Sequence, residues 1–122
     1  MFLPDDIINI ILSFLSEFEL VDWILIENLN WDRLSSNPAA IHLLEQNTDK
    51  IDWYWLCKNP AAIDLLEQNP KKINWYWLCQ NSAAVHLLEQ NKDKIDWQCL
   101  SQNPSIFKHI PKQTLKLIFQ QL

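Results

Sequence analysis

The chain contains no glycine and a single arginine among its 122 residues, and both scarcities narrow its fold and its ligands. Tight hairpins between strands normally place glycine at positive-φ turn positions, so a glycine-free chain favours an all-α fold. Its net charge of −5 and the lack of clustered basic residues argue against a phosphate-binding surface. Nucleic-acid binding by stacking aromatic side chains is therefore the third of three functions that we consider.

Long hydrophobic runs and cysteine pairs are also scarce. No apolar run reaches the roughly 18–20 residues of a membrane-spanning helix, and the acidic start MFLPDD is unlike a secretory signal. The cysteines Cys57, Cys79 and Cys99 include no CxxC pair and fit a reducing compartment, where they fill small positions of the core. These features predict an intracellular, cytoplasmic protein without membrane association.

The feature that dominates the chain is a 22-residue repeat without insertions. Copies occupy residues 37–58, 59–80 and 81–102, and a fourth begins at Asn103 and departs after Ile106. A fixed period of this length is typical of a solenoid, in which each unit packs on its neighbours. The prediction is an all-α, right-handed-type solenoid of short helix-turn-helix units in one domain, with residues 1–34 as an N-terminal cap or F-box-like segment, 35–106 as repeats and 107–122 as a C-terminal capping helix.

Each unit is expected to contain a helix of about ten residues followed by one of about six, because apolar residues recur at helical spacing. Asn37 and Pro38 suit the N-cap and first position, and Asp52 suits the N-cap of the second helix. Asn47 is expected to close the first helix in the left-handed conformation that glycine would otherwise adopt. The predicted core is the set of recurring apolar positions, with the Trp column as its spine: Trp31, Ile41, Leu44, Trp53, Leu56, Ile63, Leu66, Trp75, Leu78, Val85, Leu88, Trp97 and Leu100.

Three further helices are predicted outside the full copies, over residues 3–15, 18–28 and 110–122. The first is so apolar that either the repeats or a partner must cover it. The last would serve as the capping helix that a solenoid needs.

The sequence shows no constellation suited to catalysis. His42 and His86 share a column of the repeat but stand two units apart, which is too far for both to bind one metal ion. The regular column of glutamates is typical of a solvated face. We therefore expect no enzymatic activity, no metal and no other cofactor.

The N-terminal segment resembles an F-box, the module that binds the Skp-type adaptor of cullin ubiquitin ligases. The resemblance rests on Leu3-Pro4, Ile11, Leu15, Leu20 and Trp31-Asp32-Arg33-Leu34, although the basic residues common before the Trp are missing and the one arginine, Arg33, follows it. It implies that Leu3, Pro4, Ile7, Ile8 and Ile11 contact the adaptor. The alternative is that this segment only caps the first repeat.

The repeat itself, of the type NPxAIxLLxxNxxKIxW over residues 31–107, resembles repeats in proteins of large DNA viruses of protists. This resemblance implies a viral protein that acts in the host cell as an interaction or scaffold protein. The C-terminal Ile110-Pro111, Ile118 and Leu122 share the spacing of Leu3-Pro4, Ile11 and Leu15, and resemble a truncated F-box-like segment of viral ankyrin proteins.

The function expected from these observations is a non-catalytic protein–protein interaction module, one form of which is an F-box-like ubiquitin-ligase adaptor for host proteins. The alternative is a self-assembling structural or scaffold protein, and oligomers are compatible with both. Trp55 and Trp77 either pack between repeats or join an exposed aromatic stripe. The partner-binding candidates on the repeats are residues that vary between copies or are aromatic: His42, Tyr54, Asp64, Tyr76, His86 and Lys108.

Overall fold

The computed structural model describes residues 2–14 and 18–122, and these residues form short helices and turns without a strand. The expected all-α class is therefore confirmed for the described part of the chain. Its α-helices are α1 (Asp5–Phe14), α2 (Trp31–Ser35), α3 (Ile41–Glu45), α4 (Trp53–Leu56), α5 (Ile63–Gln68), α6 (Trp75–Leu78), α7 (Val85–Glu89), α8 (Trp97–Leu100) and α9 (Lys112–Gln120), and its 3₁₀ helices are Ile26–Asn28, Pro38–Ala40, Thr48–Lys50, Pro70–Lys72, Lys92–Lys94 and Pro104–Ile106.

The positions of these elements follow the 22-residue period. Helices α2, α4, α6 and α8 each begin at a tryptophan, one full period after the previous one. Side-chain caps fix these starts, since the Oδ1 of Asp52 accepts a hydrogen bond from the N–H of Trp55 at 3.0 Å, and Asn74 and Asp96 cap α6 and α8 in the same way. The predicted N-caps are confirmed, and Asn30 provides the same cap for α2.

The first helix of each unit is shorter than the predicted ten residues, because α3, α5 and α7 contain five, six and five. The Oδ1 of Asn37 accepts from the N–H of Ala39, and the Asn37 carbonyl accepts from the N–H of Ala40. These bonds form a tight turn, the 3₁₀ helix Pro38–Ala40, so α3 begins only at Ile41.

The prediction that Asn47 closes the helix in the left-handed conformation is wrong. Its φ is −134°, and no described residue has a positive φ. The Nδ2 of Asn47 instead donates to the carbonyl of Leu43 at 2.9 Å, and Asn69 and Asn91 repeat this bond in the next two units. The side-chain amide satisfies a carbonyl at the helix end, so the chain has no need of positive φ.

A buried row of asparagines connects each unit to the one before it. The Nδ2 of Asn81 donates to the carbonyls of Cys57 and Asn59, both at 2.9 Å, while its Oδ1 accepts from the N–H of Ala83. Asn59 and Asn103 make the same three bonds one unit earlier and one unit later. We call Asn59, Asn81 and Asn103 the asparagine ladder.

A second connection between units uses the cysteine column. The backbone N–H of Asp52 donates to the Oγ of Ser35 at 3.0 Å, and the N–H of Asn74 donates to the Sγ of Cys57 at 3.2 Å. This column therefore accepts hydrogen bonds between units in addition to filling space.

The fully buried side chains are small or aliphatic rather than aromatic. Of the expected core, Leu44, Leu56, Leu66, Leu78 and Leu88 are at most 2% exposed, and Ile41, Ile63, Val85 and Leu100 are half-buried. Trp31, Trp53 and Trp75 are half-buried and pack against this core. The prediction of the Trp column as the spine is therefore wrong: leucines, alanines and the asparagine ladder occupy the centre.

Trp97 departs furthest from the predicted core, because 66% of its surface is exposed. The equivalent Trp75 borders a groove with Leu87, Asn91 and Lys94 of the following unit, and the Lys94 Nζ lies 4.7 Å from its ring centroid. The fourth copy abandons the repeat after Ile106, so the described chain offers Trp97 no such cover.

The segment predicted as a helix over residues 18–28 contains a turn at Asp22 and Trp23, followed by the 3₁₀ helix Ile26–Asn28. If residues 18–28 formed a helix, their apolar side chains would be distributed around all of its faces. Several of these residues are also β-branched, which lowers the stability of an isolated helix. The 3₁₀ helix lies one full period before Thr48–Lys50, so the period of the repeat prevails over the local helical pattern.

The predicted terminal helices are present as α1 and α9, although residue 15 lies outside the described residues. Neither covers a repeat with its described side chains: residues 2–8, Ile11 and every residue from Pro104 onward are exposed. The predicted capping role of residues 107–122 is thus contradicted, because the apolar stripe of α9 faces solvent. None of the described helices has both the length and the apolar character needed to cross a membrane.

Candidate functional site

The exposed hydrophobic surface is concentrated at the two ends of the chain. All but three of the exposed large hydrophobic side chains in the described residues lie before Trp31 or after Asn103. The exceptions are Tyr54, Tyr76 and Trp97. Exposed apolar patches of this kind mark interaction sites on soluble proteins, so the ends are the first candidates for binding.

At the N-terminal end, the residues implied as adaptor contacts form an exposed group on and before α1. The exposed fractions are 51% for Leu3, 39% for Ile7, 38% for Ile8 and 44% for Ile11, and Pro4 is exposed beside them. Asp5 and Asp6 lie in the first turn of α1. The group is therefore accessible to a partner, and acidic at one end.

A cleft of about 530 Å³ lies between the N-terminal segment and the first full unit. This volume is within the range of pockets that hold small molecules or anchoring side chains, about 300–1,000 Å³. Glu19 and His42 add polar groups to it. We call it the N-terminal cleft; its remaining lining residues are Phe18, Leu20, Val21, Ile24, Leu34, Asn37, Ala39, Ala40, Leu43 and Gln46.

The repeats carry one aromatic surface, formed by Tyr54 and Trp55 of α4 with Tyr76 and Trp77 of α6. The ring centroids of Tyr54 and Trp77 are 4.9 Å apart in an edge-to-face arrangement, and the Lys58 Nζ lies 3.5 Å from the Trp77 centroid. Both Trp rings are half-buried, and Trp77 packs against the core, whereas the Tyr rings are 41% and 48% exposed. Of the two alternatives for Trp55 and Trp77, the structure favours packing between units. The rings of Tyr54 and Tyr76 remain accessible to a partner.

The aromatic surface combines the cation of Lys58 with two tyrosine hydroxyl groups. The pKa of the Tyr76 hydroxyl lies above its ordinary value, chiefly because of a hydrogen bond with the Cys99 side chain, so it stays neutral at physiological pH. The third unit ends the surface, because Gln98 and Cys99 replace the Tyr and Trp.

The variable column that was expected to bind partners does not form one cluster. His42, Asp64 and His86 each occupy a first helix of a unit, α3, α5 and α7, and Lys108 follows the last 3₁₀ helix. Each histidine bonds to the glutamine that follows its own helix, His42 Nε2 with Gln46 at 3.0 Å and His86 Nε2 with Gln90 at 3.0 Å. These residues are spread over four copies, and only His42 lines the N-terminal cleft.

The three cysteines are free and buried. Burial raises the pKa of the Cys57 thiol, against a smaller lowering by the Asn74 N–H, and burial likewise raises the pKa of Cys79. Both thiols are therefore protonated and poor nucleophiles at neutral pH. Within residues 2–14 and 18–122, no group of three His, Cys, Asp or Glu side chains is arranged to hold a metal ion.

Charge is distributed unevenly along the chain, and the sequence-based prediction of binding residues did not use this signal. Residues 1–32 contain seven acidic residues and no Lys or Arg, and residues 97–122 contain three lysines and no acidic residue. In the structure, Lys112 and Lys116 belong to α9, and Glu19 lines the N-terminal cleft. The acidic residues are Asp5, Asp6, Glu17, Glu19, Asp22, Glu27 and Asp32.

Comparisons of the chain with protein-family models, with curated proteins and with solved structures found no match.

Proposed function

We propose that this chain is a non-catalytic protein–protein interaction module. The observation that carries the proposal is the exposure of Leu3, Ile7, Ile8 and Ile11 on one short segment, since an apolar helix of this kind is stabilised by a partner that buries it. The perturbed groups of the described chain are buried thiols and one neutral tyrosine, which favours binding over acid–base chemistry.

The repeats form a helical solenoid that carries this segment. Support comes from the asparagine ladder, whose bonds join residues 22 and 24 positions apart in three successive pairs of units. The side-chain amide of each ladder asparagine donates to backbone carbonyls of the unit before it, and the backbone carbonyls of Asn59 and Asn81 accept from the asparagine of the unit after them. Such contacts between nearest neighbours define an array of this kind.

The partner of α1 is a Skp-type adaptor, and the chain acts as an F-box-like subunit of a ubiquitin ligase. The resemblance of residues 3–34 to an F-box and the exposure of its implied contact residues support this assignment. Tyr54 and Tyr76 then provide a second surface for a target protein, because partly exposed tyrosines are favoured at the energetic centres of interfaces.

The direct test is titration of the purified chain with a purified Skp-type adaptor by isothermal calorimetry. We expect binding by the native chain and its loss in the double variant Pro4→Ala/Ile8→Asp, because a carboxylate at position 8 would be buried unpaired in the interface. The matched control is Ile106→Asp, another exposed isoleucine that lies outside both α1 and α9, which should bind as the native chain does. Absence of binding by the native chain, or equal loss in both variants, would refute the adaptor role.

A further inference from the structure

The two ends of the chain are complementary in charge, and both expose apolar surface. The N-terminal cleft has Glu19 in its lining and the exposed Asp22 close to it in sequence, in a segment without a Lys or Arg. Helix α9 carries Lys112 and Lys116 in a segment without an acidic residue. Opposite potentials on two surfaces steer their association and select their relative orientation.

Helix α9 has the pattern of a helix that docks in a groove. Leu115, Ile118, Phe119 and Leu122 lie at positions i, i+3, i+4 and i+7, which is the spacing of anchor residues in helix-in-groove recognition. All four are exposed, Phe119 by 71% and Leu122 by 95%. The stripe is therefore unpartnered within the described part of its own chain.

The N-terminal cleft offers a surface of matching character. Its lining is largely aliphatic, including Leu20, Val21, Ile24 and Leu43, and its volume of about 530 Å³ leaves room for large side chains. Residues 39 and 40, both alanines with small side chains, form part of its wall. An apolar stripe flanked by lysines is complementary to such a cleft, because the lining offers aliphatic side chains together with the carboxylate of Glu19.

We propose that α9 of one copy docks in the N-terminal cleft of a second copy. The occupant is a second copy because the basic, stripe-bearing helix is part of this same sequence and is exposed rather than seated in its own cleft. The contact joins two different surfaces, so it is heterologous and leads either to a closed ring or to an open chain of molecules. This inference does not depend on the adaptor role, because it uses the cleft and α9 rather than the apolar face of α1.

The experiment is a reciprocal charge reversal on the full chain, followed by sedimentation velocity over a range of concentrations. Variant K112E/K116E gives α9 the same sign as the cleft, and variant E19K/D22K gives the cleft the same sign as α9. We expect each variant alone to associate at least about tenfold more weakly than the native chain. An equimolar mixture should regain association, because each copy then meets a cleft or helix of opposite charge.

A matched control separates the interface from net charge. Variant K71E/K72E makes the same change in net charge as K112E/K116E at two exposed lysines of the 3₁₀ helix Pro70–Lys72, away from both ends, and should associate as the native chain does. Circular dichroism of all variants checks that these exposed substitutions leave the helices intact. Raising the salt from about 50 mM to about 1 M, where the Debye length falls to about 3 Å, should weaken native association.

Three outcomes would overturn the proposal. One is a native chain that stays monomeric at every concentration, and another is a K71E/K72E variant as impaired as K112E/K116E. The third is an E19K/D22K variant that still associates alone, which would assign the contact to α9 pairing with α9. A chain that binds the Skp-type adaptor but remains monomeric would leave the proposed function intact and refute only this inference.

Discussion

In the second, third and fourth copies one asparagine side chain of the ladder bonds to the preceding unit, and its chemistry explains why the residue recurs. An amide offers two N–H donors and an acceptor oxygen in one plane. Asn81 uses both kinds of group while only 2% exposed, and no buried polar side-chain atom of the described residues lacks a partner. An ionised aspartate has no hydrogen-bond donor and a serine has only one, so neither can supply the two donors and the acceptor that Asn81 uses.

Replacing Asn81 by alanine should destabilise the protein by about 2–4 kcal/mol, because the buried carbonyl of Cys57 loses its amide donor and the N–H of Ala83 loses its acceptor. The comparison is Asn37→Ala at the equivalent, exposed position of the first unit. There the described loss is the cap on Ala39, worth about 1 kcal/mol. Urea denaturation followed by circular dichroism measures both, and equal costs would contradict the importance of the ladder.

The buried thiols predict a pH dependence of stability. Because burial raises the pKa of Cys57 above its ordinary value of 9.0, the folded thiol keeps its proton at pH values where the unfolded thiol has lost it. Unfolding then releases a proton, so this contribution to stability is complete below pH 9 and declines as pH rises above it. The native chain should therefore lose more unfolding free energy between about pH 8 and pH 10 than Cys57→Ser does.

Serine is the appropriate replacement because Ser35 holds the same position in the first unit and accepts the equivalent hydrogen bond. Near pH 7 the variant should accordingly unfold with a free energy within about 1 kcal/mol of the native value. If the difference between the native chain and Cys57→Ser stayed constant from pH 8 to pH 10, the raised pKa would be refuted.

At the scale of elements, the sequence predicted the starts of α4, α6 and α8 better than the starts and lengths of the first helices of the units. The caps at Asp52, Asn74 and Asp96 are local, because each side chain bonds to an N–H three residues on, and a short window contains everything needed. An asparagine at the end of a helix can either adopt a left-handed backbone or donate its side-chain amide to a carbonyl of the last turn. The residue type alone does not decide between these two, and Asn47 uses the second. The prediction of a helix over residues 18–28 was wrong because the position of the 3₁₀ helix in this segment follows the 22-residue period rather than the local helical pattern.

The helices at the ends show a second limit of sequence patterns. Helices α1 and α9 were predicted correctly as helices, since the helical spacing of apolar residues is a property of the segment itself. Whether a stripe is covered depends on where the helix lies relative to the repeats, and no spacing rule contains that information. Trp97 shows the same limit. It was predicted to be buried because it shares a repeat position with Trp53 and Trp75, but the copy that would cover it departs from the repeat.

At the scale of the whole molecule, the buried interior is formed mainly by residues that recur between copies of the repeat. Most of the candidate binding surfaces lie at the two ends, where the sequence departs from the repeat. The core leucines and the caps recur with the period of the repeat, so they could be predicted from the sequence, whereas the bonds of the ladder asparagines to the previous unit required the fold. The candidate site could be predicted only in part: the apolar residues of α1 followed from a family resemblance, whereas the N-terminal cleft required the fold. The separation of acidic and basic ends was present in the sequence and becomes meaningful once both ends are known to be exposed.

If each unit is held by its neighbours, removing one whole unit should leave a foldable protein. Deletion of residues 59–80 joins Lys58 to Asn81 and keeps every position in its column, so Asn81 can donate to the carbonyls of Ser35 and Asn37 as Asn59 does in the native chain. We expect the shortened chain to retain its helical circular dichroism and a cooperative thermal transition. Its melting temperature should be lower, because stability in such an array grows with the number of interfaces between units.

The matched control removes residues 59–79, one residue fewer, and leaves Gln80 between Lys58 and Asn81. The single extra residue shifts Asn81 out of the ladder and moves the Leu and Ala positions away from the core, so this longer variant should lose its cooperative transition. Thermal unfolding of the two deletions therefore separates register from chain length. The solenoid would be refuted if both deletions unfolded alike or if the variant with the extra residue were the more stable, since burial in the ladder would then not depend on the 22-residue period.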